Sequence, residues 1–225
     1  MRARAFAPLR RTAGVAPLLA ALALAACGDG GSDTTSTAVA QGCRQVEAPP
    51  PKKLDLQPPK AKAPTASGVT FETTCGTFTV EFDGRAPKTD ASFQYLAEQG
   101  AFDDTVFHRV VKGQLIQGGD PLGADPEKAG TGGPGYSVDE PPPANVAYTR
   151  GTVAMAKTAN EPIGRSGSQF FVVTEADLGL TADYALVGEV SSGFEVVEAI
   201  DALGADAQDG APTMPVVIEK ATPEG

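Results

Sequence analysis

The stretch VTFETTCGTFTVEFD, residues 69–83, constrains the fold more than any other part of the chain. Apolar and polar residues alternate on both sides of Cys75-Gly76, so each half has one face to bury and one to leave in water. The glycine lets the chain reverse between them. This is a β-hairpin signature. Further apolar runs of strand length follow at 106–109, 115–117, 151–156, 169–173, 185–190 and 216–220. Helical spacing is confined to two places: KTDASFQYLAEQGAF, where Phe93, Leu96 and Ala97 share a face and Gly100 supplies the stop, and GFEVVEAIDALG, where Phe194, Val197 and Ile200 do so before Gly204. With 26 glycines and 19 prolines marking tight turns, about eight short strands and two helices predict a closed β-barrel or a sandwich.

The N-terminus is built differently. Arg2, Arg4, Arg10 and Arg11 form a basic head, and residues 15–26 form an apolar run of leucines and small residues. A bilayer span needs about 20 apolar residues, so this run is too short for one and residues 1–26 read as a secretion signal. Leu24-Ala25-Ala26-Cys27 resembles a bacterial lipobox, in which Cys27 is lipidated and becomes the new N-terminus. A plain signal peptide followed by an incidental cysteine is the alternative. Residues 27–66 are polar and proline-rich, so they are expected to form an extended or disordered tether, with the folded domain spanning 67–225.

Export bears on the other two cysteines. Cys43 and Cys75 would meet an oxidising environment, where thiols pair. A bridge between them closes a loop of a little over thirty residues, for which chain entropy estimates roughly 3–4 kcal/mol. The net charge of -10 excludes a phosphate-backbone partner, the more so because removing the four signal arginines leaves about -14.

Several chemistries are absent. GTGGPG at 130–135 has dinucleotide-motif spacing, but YSVDEPPP follows it and cannot open a helix to receive a pyrophosphate. GRSGSQ is not a serine-hydrolase elbow. A single histidine and two pairing cysteines leave too few ligands for zinc.

What remains is a set of motifs in a fixed order: FHRVV…QGGDP, TGGPGY, VAMAK, GSQFFV and YALVG. Together they resemble the cyclophilins, the peptidyl-prolyl cis-trans isomerases, over residues 69–219. The resemblance implies a closed eight-stranded antiparallel β-barrel capped by two α-helices. It also implies that Arg109 is the catalytic residue. An Xaa-Pro bond rotates slowly because amide resonance raises a barrier of about 18–20 kcal/mol. Twisting the bond gives the prolyl nitrogen a lone pair that the planar amide lacks, and a guanidinium donor there stabilises mainly the transition state. Neither a nucleophile nor a cofactor is implied.

By the same resemblance, Leu115 and Phe171 belong to the proline pocket, with Phe171 as its floor. Gln117 orients Arg109 and meets substrate backbone, Ala156 flanks the peptide path, and Leu180 and Tyr184 close the far wall. His108 and Gln169 are supporting residues. Three positions depart from the family pattern. Gln114 stands where phenylalanine is usual, Tyr184 where eukaryotic members have histidine, and Lys157 where asparagine is usual, in a loop lengthened by a few residues. The sequence therefore predicts a monomeric prolyl isomerase. It is exported and held to the outer face of the cytoplasmic membrane by lipidated Cys27, and it acts on proline-containing unfolded or extended polypeptides. A catalytically weak cyclophilin-like chaperone or binding module is the alternative, and Gln114 is the residue that favours it.

Overall fold

The computed structural model describes residues 42–204 and 210–225. The signal segment, Cys27 and the first part of the tether lie outside the described residues. The predicted hairpin is β1 (Gly68–Thr73) and β2 (Gly76–Phe82), which pair in register from Gly68↔Glu81 to Thr73↔Gly76. Val69, Phe71, Phe78 and Val80 point inward, while Thr70 and Thr79 join hydroxyls at 2.7 Å on the outer face. Next come α1 (Pro87–Glu98), β3 (Thr105–Val106), β4 (Arg109–Val111) and β5 (Leu115–Gly118). They are followed by β6 (Val138–Asp139), β7 (Thr152–Met155), β8 (Arg165–Ser166), β9 (Phe170–Val173), β10 (Leu186–Ser192), α2 (Phe194–Asp201) and β11 (Val217–Glu224).

Nine strands form one antiparallel sheet in the order β3-β11-β1-β2-β10-β7-β9-β5-β4, and β6 pairs with β8 separately. The closed eight-stranded barrel is therefore corrected: the sheet is an open half-barrel of nine strands, with two helices packed on it. The cause lies in residues 106–109, expected to form one strand. Val106 pairs with β11, and the Phe107 N–H still donates to Val216 O at 3.0 Å. From Arg109 onward the chain pairs with β5 instead. One continuous stretch thus supplies both edges of the sheet, and among the described residues only the isolated bridge Val106↔Asp120 spans the seam.

The core is aromatic. Phe71, Phe78, Phe93, Phe102, Phe107 and Phe170 are all almost completely buried, with ring centroids of neighbouring pairs 5.0–6.4 Å apart. Such tilted and edge-to-face pairs contribute about 0.5–1.5 kcal/mol each beyond their burial.

Residues 42–66 do not stand off the domain as the tether expectation held; they form an extended strap along its surface. Cys43 is buried and bonded to Cys75. Backbone N–H groups of Arg44, Lys52 and Leu56 donate to the carbonyls of Thr74, Pro121 and Pro134 at 2.8–2.9 Å. Burial alternates from Lys52 to Leu56, so Leu54 and Leu56 pack against the core while Lys53 and Asp55 face water. The Lys52 ammonium donates to the carbonyls of Gly100 and Asp103. Gly135, at φ +100, lets the strap backbone approach: a Cβ there would lie 3.1 Å from Asp55 Cα and Leu56 N.

Helix α1 begins with Pro87 and has no side-chain cap of its own; Glu140 accepts from both the N–H and the hydroxyl of Thr89, at 2.7 and 2.9 Å. Beside it, Asp90 is fully buried and neither carboxyl oxygen has a hydrogen-bond partner. Burial above all, with repulsion from Asp83 and Glu140, pushes its pKa from 3.8 up to about 8. The folded state thus holds this proton more tightly than the unfolded chain does. The contribution of Asp90 to stability is greatest at acid pH, falls as pH rises through the interval from 3.8 to about 8, and levels off above it, at a limiting slope of about 1.4 kcal/mol per pH unit. Asp90→Asn is expected to abolish this fall. Thermal melts of both proteins at about pH 5 and pH 8 check it; an equal loss in the variant would assign the slope to other groups.

Candidate active site

Period-two alternation on four neighbouring strands separates a core face from a second face. Val110, Ile116, Val153, Phe170 and Val172 face the core. The alternate residues form a row across the other face: Arg109 opposite Gln117, Gln117 opposite Phe171, and Phe171 opposite Ala154. The next row brings Leu115 opposite Val173. Arg109, Gln117 and Phe171, scattered over more than sixty residues of sequence, are thereby neighbours on adjacent strands.

A relay of hydrogen bonds fixes the polar end of this row. Arg109 Nη1 donates to Gln117 Oε1 at 3.1 Å, Gln117 Nε2 to Gln169 Oε1 at 3.1 Å, and Gln169 Nε2 to the Gly132 carbonyl at 2.9 Å. Each amide spends its acceptor on one neighbour and its donor on the next, so the guanidinium is held in one orientation.

The apolar end is a small cluster of its own. Phe171, Tyr148, Ala154 and Val173 are buried in it, and Leu115, Ala156 and Tyr184 pack against them. The Tyr184 ring meets Phe171 edge-on at 5.4 Å, and Lys157 Nζ lies 5.6 Å from the Tyr184 ring centroid. Tyr148 pins this wall in place: its hydroxyl donates to Tyr184 O at 2.6 Å and accepts from Tyr184 N–H at 3.0 Å.

Two residues expected in the pocket are exposed and stand outside the buried cluster. Leu180 is exposed and outside the cluster, while Leu178 packs within it. Gln114 is exposed in the β4–β5 turn, where its carbonyl accepts from the N–H groups of Thr174 and Glu175. His108 sits between the two edge strands. Burial chiefly, with Arg109 adding to it, pushes its pKa below the ordinary histidine value against the upward pull of Asp120. Among the described residues, neither of its ring nitrogens meets a partner in good geometry.

Two cavities adjoin the relay. One, of about 690 Å³, is lined by Gln117, Gly132, Ala156, Lys157, Glu161 and Gln169 among others. The long loop that forms its wall is braced internally, with the Glu161 carboxylate accepting from the Thr158 N–H and hydroxyl at 2.6 and 2.9 Å. The other, of about 560 Å³, lies on the His108 side of Arg109 and Gln117.

Residues 68–223 match the family described as cyclophilin type peptidyl-prolyl cis-trans isomerase. The chain belongs to that family. Among its relatives, a peptidyl-prolyl cis-trans isomerase-like 1 of Neurospora crassa is 37% identical over 163 residues, covering 69% of this chain and 93% of the relative. Peptidyl-prolyl cis-trans isomerase B of Streptomyces anulatus is 38% identical over 156 residues, covering 62% and 85%. A crystal structure of a Cryptosporidium parvum cyclophilin type isomerase, obtained in the presence of the dipeptide Ala-Pro, aligns with a TM-score of 0.61 and 29% identity, covering 70% of this chain and 99% of that one. This cyclophilin is accordingly an enzyme that catalyses cis-trans isomerisation of Xaa-Pro bonds, and its substrates are proline-containing polypeptides.

Sequence reasoning missed Tyr148, Leu178 and the Gly132 carbonyl, although Gly132 stands inside the TGGPGY motif. Tyr148 had no local signal, because its role comes from a contact with Tyr184 across 36 residues.

Proposed function

We propose that Arg109 stabilises the twisted amide by donating to the prolyl nitrogen as it pyramidalises, while Phe171, Leu115 and Tyr184 hold the proline ring. The relay from Gly132 through Gln169 and Gln117 supports this reading above all. It holds the guanidinium at the edge of an apolar cluster before substrate arrives, so little reorganisation is needed at the transition state. No proton transfer enters the step, and a His108 kept towards its neutral form agrees with that. The test is cis-trans exchange in a short Xaa-Pro peptide, followed by NMR with catalytic amounts of the full chain, with Arg109 present or replaced.

The enzyme's place is outside the cytoplasmic membrane, where it assists exported proteins whose slow Xaa-Pro rotation limits folding. The buried Cys43–Cys75 bridge supports an oxidising compartment. Among the described residues no helix is long and apolar enough to cross a membrane. Attachment is through lipid on Cys27, and the enzyme works as a monomer. Mass spectrometry of protein extracted from membranes is expected to find a mature chain that begins at Cys27 and carries the mass of its lipid; an unmodified Cys27 would remove the anchor.

A further inference from the structure

The cavity on the His108 side of Arg109 is not part of the proline-holding cluster. Its walls come from four separate segments: the strap at Ala48, the loop at Ala124, Pro126 and Ala129, the turn at Pro212 and Met214, and the seam at 106–109. They are predominantly apolar. The polar exceptions are His108, Thr213, Arg109 and Gln117, the last two of which it shares with the relay. At about 560 Å³ it has room for one large side chain and the backbone that carries it.

We propose that this groove is an accessory subsite that takes an apolar side chain, of leucine or phenylalanine size, within three residues of the substrate proline. The inference rests on the reading of Arg109 as the group that meets the prolyl nitrogen. The occupant follows from continuity. An extended polypeptide with its proline on Phe171 and its reacting amide at Arg109 has a neighbouring residue at the mouth of a groove bordered by that same arginine. A basic side chain would lose water there and face the Arg109 charge, whereas an aliphatic or aromatic one gains from burial against the alanine, proline and methionine walls. Burial disfavours the charged form of His108 on this wall. The strap makes the selection specific to this chain. Ala48 reaches the groove only because Cys43 and Lys52 fix the extended segment on either side of it.

The experiment scans leucine, alanine and aspartate through the three positions on each side of proline in a short peptide. It reads both kcat/KM by exchange NMR and Kd by titration. At one position leucine is expected to exceed alanine by about tenfold in kcat/KM. Ala129→Trp, which fills the groove, should cut that ratio to about twofold, whatever it does to the absolute rate. Ala48→Trp, at an exposed strap position where folding is not at risk, should do the same. A flat scan in the wild type, or a ratio unchanged in both variants, overturns the subsite. Turnover that survives in Arg109→Ala, with a leucine-dependent Kd that both tryptophan variants abolish, would retain the groove and overturn the role of Arg109 instead.

Discussion

Arg109→Ala is expected to lower kcat/KM for a short Xaa-Pro peptide by about 10²–10³-fold, the usual cost of removing one preorganised transition-state donor. The loss should fall on kcat more than on KM, since the planar ground state offers the guanidinium no prolyl lone pair to meet. Arg109→Lys keeps the charge and discards the planar fork that Gln117 holds at 3.1 Å. It should therefore recover only a minor part of the rate. Because Arg109 opens an edge strand and is only half-buried, the alanine variant should fold, and its thermal melt would establish that. Exchange that survives in Arg109→Ala would assign the chemistry to the apolar cluster alone. A wild-type rate no faster than the free peptide, raised by Gln114→Phe, would make the protein a binding module whose pocket lacks one wall.

Removing the Cys43–Cys75 bridge, by reduction or as the double alanine variant, should destabilise the domain by roughly 3–4 kcal/mol on the chain-entropy estimate. The bonded cysteines are 32 residues apart in sequence. For a domain of this size that corresponds to a fall in Tm of roughly 6–16 °C. The effect should not end with the loop. With Cys43 released, the strap keeps its backbone bonds to Thr74, Pro121 and Pro134, the Arg44–Glu219 ion pair, the Lys52 contacts, the bonds of Thr65 and Ala66 to Gln94, and the packing of Leu54 and Leu56. Hydrogen exchange at Lys52 and Leu56 should then rise ahead of exchange in β1 and β2, whose amides pair within the sheet. An unchanged Tm on reduction would mean that packing alone fixes the strap.

Local period carries the placement of residues on a strand face. Arg109, Gln117 and Phe171 are paired across adjacent short strands, so once the strands pair they share a face. Closure of the barrel was not legible in this way. It depends on which partner residues 107–109 choose, and a run of apolar residues carries no record of a change of partner at His108. The strap was hidden by its own composition. KKLDL alternates as an edge segment should, but the prolines on both sides suggested a chain without a core to join. Leu178 and Leu180 show the finest limit, since two leucines two residues apart differ only in which one the loop turns inward.

The bridge at Cys43 also sets a leash. If the anchor is at Cys27, only 16 residues separate it from the first covalent hold on the domain, against 40 if the chain were free up to residue 67. Fully extended, these reach about 55 Å and about 140 Å. Tension on that leash enters through sulfur at the β1–β2 turn and leaves residues 44–67 slack, so the wall at Ala48 is spared the pull. The enzyme would patrol a shallow layer next to the bilayer, meeting polypeptides as they emerge from it.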